Sequence, residues 1–231
     1  MFEFSAEEID AIRLSLWVAS IGILASLPFG MFIAYALARW RFPGKLLLDG
    51  LVHMPLVLPP VVTGYILLLL FGRKGPIGAW LEQHLGLVFS FRWTGAALAA
   101  AVMGFPLMVR AIRLSLESTD RRLEDASRTL GANRLTTFFL VTLPLALPGI
   151  IAGLVLSFAK ALGEFGATIT FVSNSPGETR TLPTAIYTLL QVPGSEDAVL
   201  RLTIISIIIA VAALAASEYL AFRARRRVAG E

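Results

Sequence analysis

Long uncharged runs alternate along this chain with short polar ones. Leu14 to Ala38 carries no charge, spans roughly 38 Å if helical, and ends at Arg39, Trp40 and Arg41, a basic and aromatic interface marker. Gly50 to Gly72 is the second run, with Pro55, Pro59 and Pro60 near its start. Trp93 to Val109 is the third, Leu135 to Ala159 the fourth, and Leu202 to Phe222 the fifth, interrupted only by Glu218. Between the last two, Phe165 to Gly177 is apolar but too short to span, which predicts a re-entrant or interfacial segment; a sixth crossing is the alternative. The pattern predicts an all-α polytopic membrane protein, about five transmembrane helices in one transmembrane domain over residues 1–231.

Basic residues set the orientation. Arg39, Arg41 and Lys45 follow the first run, Arg110, Arg113, Arg121, Arg122, Arg128 and Arg134 follow the third, and Arg223, Arg225, Arg226 and Arg227 form the tail. Thirteen of the 20 Lys and Arg therefore fall on one side, the cytoplasmic one by the positive-inside rule, giving an N-out, C-in chain with an odd number of spans. Residues 55–64 (PLVLPPVVTG) and 144–153 (PLALPGIIAG) match in both prolines and the glycine. They form either a parallel internal repeat or two uses of the same way to start a membrane helix.

Composition agrees with lipid as the solvent: 56% of residues are hydrophobic and 16% charged, more apolar surface than a water-soluble domain of this length buries. The net charge of +4 comes from loops rather than one basic face, which argues against nucleic acid as a partner. With no cysteine and two histidines, His53 and His84, no metal site is expected. The first run follows an acidic start (Glu3, Glu7, Glu8, Asp10) and is too long for a signal-peptide core, so a retained helix is expected. No G-x-x-x-x-G-K-[ST] phosphate loop occurs, and Gly44-Lys45 lacks the rest of one, so no ATPase or other enzymatic activity is expected of this chain alone.

The stretch Glu117 to Pro148 reads ESTDRRLEDASRTLGANRLTTFFLVTLPLALP. Asp120 suits a helix N-cap, and Leu123, Ala126 and Leu130 fall on one apolar stripe. Gly131 suits a left-handed C′ residue, and a second short helix begins near Asn133 and leads into the fourth span. A two-helix elbow results, either docking on another protein or simply a solvated connection.

Asp125-Ala126-Ser127, Gly131, Val141, Leu143 and Pro144 match the spacing of the loop by which ABC importer permeases engage their ATPase. That family usually has glutamate and alanine where this chain has Asp125 and Ser127, which leaves Glu124 and Asp125 as rival coupling carboxylates. With residues 55–73, 99–117 and 162–191, the chain from about Leu14 to Leu220 resembles molybdate ABC transporter permease subunits; sulfate and thiosulfate permeases share a related LGE-(aromatic)-G segment. The resemblance implies a type I importer permease fold with an ATPase-coupling loop at about 117–144, and as coupling residues Glu124, Asp125, Ala126, Gly131, Leu143 and Pro144. It also implies a homodimeric pore in the bacterial inner membrane and two cytoplasmic subunits that use ATP and Mg. A periplasmic oxyanion-binding protein would sit above, and the cargo would be molybdate or tungstate.

Lys160 and Glu164 are four residues apart at the outer end of the fourth run and can pair on one face. With Gly163, Gly166 and Thr168 they are candidates for the translocation path or a gate; the plain alternative is an interfacial pair with Lys160 snorkelling outward. For Asp49 and His53 an interfacial polar contact is favoured over a proton relay. A secondary transporter would need more ionisable groups within its spans than these runs carry.

Overall fold

A computed structural model describes residues 4–229, all of whose regular elements are helical. The first, α1 (Ala6–Arg39), starts in a capping box: the Ser5 hydroxyl accepts from the Glu8 amide at 3.2 Å, and the Glu8 carboxylate accepts from the Ser5 amide at 2.6 Å. It ends at Trp40, whose extended backbone leads to Pro43. Then follow α2 (Lys45–Val57), α3 (Pro60–Phe71), α4 (Pro76–Leu85) and α5 (Trp93–Ser118). After them come α6 (Arg121–Thr129), α7 (Arg134–Thr137), a π-turn (Phe138–Thr142) and α8 (Leu143–Leu162). The chain closes with α9 (Gly166–Val172), α10 (Leu182–Leu189) and α11 (Glu196–Ala229). Glu3, part of the acidic start, and the side chains of Arg225, Arg226 and Arg227, invoked for orientation, lie outside the described residues.

At the centre stands α5, flanked by α1 and α8. Small residues bring these helices close, the usual way membrane helices pack without a hydrophobic drive between them. A Cβ on Gly22 would lie 2.3 Å from the Ala97 carbonyl oxygen, and one on Gly149 would strike Ser115. The Ser157 hydroxyl donates to the Gly104 carbonyl at 2.8 Å across the α5–α8 seam. Neighbours along these seams give the directions. Gly22 meets Ala97 and Gly30 meets Met108, so α1 and α5 run parallel; Gly149 meets Ser115 and Gly153 meets Met108, so α8 runs against α5.

Among the described residues four helices are long and apolar enough to cross a membrane: α1, α5, the continuous stretch from α7 through α8, and α11. The second expected span is not one helix. It is the pair α2 and α3, bent by 116°. The cause is local: Leu58 precedes Pro59 and is held extended (φ −71°, ψ 145°), and Pro59 itself sits at φ −54°, ψ 133°. Because α1 and α5 are parallel, the chain between them must return to its starting side, and this bent pair makes the return. Taken as one broken span, it brings the number of crossings to five.

The PLVLPPVVTG and PLALPGIIAG segments therefore differ in structure. The first breaks a helix, while in the second Pro148 lies inside α8. Their glycines do share a role: Gly64 packs on the backbone of Ala167 and Gly153 on that of Met108. The segment expected to be re-entrant or interfacial is α9, packed between α3 and α5 with Ala167, Phe171 and Val172 fully buried. It is tucked into the protein rather than laid on a surface.

Candidate functional site

The elbow forms as its local signals require. The Asp120 carboxylate accepts from the Arg122 amide at 2.9 Å and opens α6. At the other end Gly131 takes φ +91°. Its amide donates to the Arg128 carbonyl and that of Ala132 to the Ser127 carbonyl, the Schellman pair that satisfies the last carbonyls of a helix. Asn133 then caps α7, accepting from the Thr136 amide at 2.8 Å. Ser127, where the resemblance leads one to expect alanine, lies 3.3 Å from the Thr137 hydroxyl and ties the two short helices together.

The faces of α6 differ sharply. Leu123 is 49% exposed and Leu130 88%, with Ala126 exposed between them. An apolar stripe left in water on a charged helix is a surface built for contact. The two rival carboxylates part company here. Asp125 points outward, its side chain 70% exposed and 3.7 Å from Arg128. Glu124 points inward, 5% exposed, and accepts from Arg39 at 2.8 Å. Leu143 and Pro144 are not on this face: Leu143 packs into the core at the foot of α8, and Pro144 begins the same helix. The Pro144 ring would clash with the carbonyl four residues back in a regular helix; that residue, Leu140, lies in the π-turn.

At the opposite end of the bundle Lys160 donates to Glu164 at 2.6 Å. The lysine side chain is 31% exposed and the carboxylate 2%. The second oxygen of Glu164 accepts from the Ala167 amide at 3.0 Å and caps α9. One side chain thus both neutralises Lys160 and fixes the short helix. Gly166 is needed for packing, since a Cβ there would lie 2.8 Å from Pro60, whereas Gly163 is exposed with ample room around it. Thr168 is buried one turn into α9. Asp49 and His53 form the expected polar contact, with Asp49 also accepting from Arg113 at 3.0 Å.

Two groups of ion pairs escape any reading of local pattern. Arg39, legible in sequence only as an interface marker, reaches across 85 residues to Glu124. Near the start of α1, Glu8 pairs with Arg201 and Glu7 with Arg180, each at 2.9 Å, tying α1 to the segments around α10 and α11. No spacing rule connects residues so far apart. Among the described residues no cluster of acidic or histidine side chains could hold a metal.

The family model described as "Binding-protein-dependent transport system inner membrane component" matches residues 26–226. The molybdenum transport system permease protein ModB of Escherichia coli K12 is 61% identical over 95% of this chain and 96% of its own. That of Haemophilus influenzae is 55% identical over 96% of each chain. A bacterial alginate ABC transporter, solved with an alginate pentasaccharide-bound periplasmic protein, contains a chain of the same fold, with a TM-score of 0.74 and 18% identity. The match covers 95% of this chain and 80% of that one. The core around α5, the projecting elbow and these likenesses lead to one assignment: the chain belongs to the family of inner membrane components of binding-protein-dependent transport systems.

Proposed function

We propose that this chain is the permease subunit of an ATP-driven importer that carries molybdate across the bacterial inner membrane. It works as a homodimer. Two cytoplasmic subunits dock on the elbows and hydrolyse ATP with Mg, and a periplasmic oxyanion-binding protein delivers cargo to the other end. The observation that carries this reading is the exposed stripe Leu123, Ala126 and Leu130 beside the outward Asp125, on an elbow that projects from the bundle. A cleft on the ATPase would cover the leucines and pair with Asp125, so closure of the ATPase dimer would push on the elbow. Molybdate as cargo rests on the molybdenum transport relatives.

The test is reconstitution in liposomes. Labelled molybdate should enter only when the chain, its ATPase and the binding protein are all present with ATP, and tungstate should compete better than sulfate. Entry without the ATPase would overturn the reading, as would failure of the ATPase to copurify with the chain.

A further inference from the structure

We infer that Arg39 is a positioning residue that joins the elbow to the ends of α1 and α5 as one rigid body. The inference rests on the docking role proposed for the elbow and deepens it. Three helix ends meet at this guanidinium. Arg39 is the last residue of α1. One of its terminal nitrogens donates to the Glu124 carboxylate of α6 at 2.8 Å and, at 3.5 Å, to the carbonyl of Thr119, which closes α5. Arg121 of α6 returns a bond to the Ala38 carbonyl at 3.2 Å. The C-terminal carbonyls of α1 and α5 thus face cationic groups, the favourable sign for helix ends.

Burial sets this contact apart. The Arg39 and Glu124 side chains are each 7% exposed, while their neighbours on α6 face water. A charge pair withdrawn from solvent must be held in geometry, because either member alone would be an unpaired buried charge. Arginine suits the place, since the rigid guanidinium plane fixes the direction of the one terminal nitrogen that reaches both the carboxylate and the carbonyl, which a rotating ammonium does with less geometric control. Without this pair α6 would be held to the ends of α1 and α5 only by the Thr119–Asp120 link and the Arg121 bond, while its far end stays tied to α7 through Ser127. A push on Leu130 and Asp125 would then bend the link instead of moving α1 and α5.

The experiment measures molybdate moved per ATP hydrolysed by the assembled complex in liposomes, with ATPase copurification and membrane abundance read on the same samples. Arg39→Gln and Glu124→Gln should each keep the ATPase bound while transport per ATP falls by about tenfold, the scale on which residues between coupled sites act. Arg39→Lys should retain an intermediate ratio, and the swap R39E with E124R should recover only part of the loss, because a carboxylate at position 39 cannot donate to the Thr119 carbonyl. Should a single variant be lost from the membrane, R39M with E124L removes both charges without stranding either, and it should be abundant yet uncoupled. Normal coupling in that neutral pair, or no recovery in the swap, overturns the role of Arg39. Leu130→Glu tests the underlying reading separately: it should release the ATPase, and if binding and coupling persist the docking role falls whatever Arg39 does.

Discussion

Gly131 and Glu164 each do something that a substitution can separate into parts. At Gly131 the backbone is left-handed and a Cβ would meet nothing within 4 Å, so the obstacle to a side chain is conformational rather than steric. Gly131→Val should cost about 1 kcal/mol or more there, leaving the protein inserted but its transport poorly coupled to ATP hydrolysis. Gly131→Asn, which tolerates that conformation, should transport close to normally. Membrane abundance by blot and isotope uptake check both, and equal uptake by the two variants would remove the backbone argument. Glu164 is a pairing group and a cap at once. Glu164→Gln keeps an acceptor for the Ala167 amide, whereas Glu164→Ala loses it and should cost roughly 1–3 kcal/mol more in a thermal or denaturant melt. A double charge reversal of Lys160 and Glu164 should rescue uptake only in part, because lysine at 164 cannot accept from that amide. Complete rescue would show that the cap contributes little.

Among the elements, those with signals inside one or two turns are legible in the sequence. The Asp120 cap, the 123/126/130 spacing and Gly131 all lie within the elbow, and each does locally what its residue type allows. The bend between α2 and α3 is not legible in the same way, because Pro59-Pro60 and Pro148-Gly149 sit in nearly identical segments. Only the first forces two successive extended residues; the second has a glycine, and its helix continues with a π-turn one turn upstream of Pro144. Replacing both Pro59 and Pro60 by alanine should let α2 run on and pull Gly64 from the backbone of Ala167. The melting temperature of the purified protein should then fall, by an amount equivalent to about 1–3 kcal/mol. An unchanged melt would mean that packing on α9, not proline, sets the bend.

For the whole molecule, the two ends of the bundle differ in character. Arg39, Arg113 and Arg121 gather where α1 and α5 finish, while Glu7, Glu8, Arg180 and Arg201 gather where α1 begins. That grouping is what the alternating loop assignment requires. Reporter fusions after Glu117 and Glu231 should read cytoplasmic, and one after Glu178 periplasmic; a cytoplasmic signal at Glu178 would refute five crossings. The count of spans is legible because lipid imposes length and polarity on every crossing. The lashings between distant segments, Arg39 to Glu124 and Glu8 to Arg201, are not, since each depends on where two remote helix ends come to rest.

The π-turn at Phe138–Thr142 gives the connection from elbow to span a spare residue. In a regular helix each residue advances the azimuth by about 100°, so losing one swings everything beyond it to another side. A π-turn holds one residue more than its helix needs and keeps the faces before and after in phase. Excising the exposed Leu140 should therefore leave the elbow aimed nearly as before, with a kink where the Pro144 ring would then face the Phe139 carbonyl. Excising Leu154 from α8 would turn it away. The permease thus tolerates a change of length at one point of this helix that it cannot absorb a few turns later.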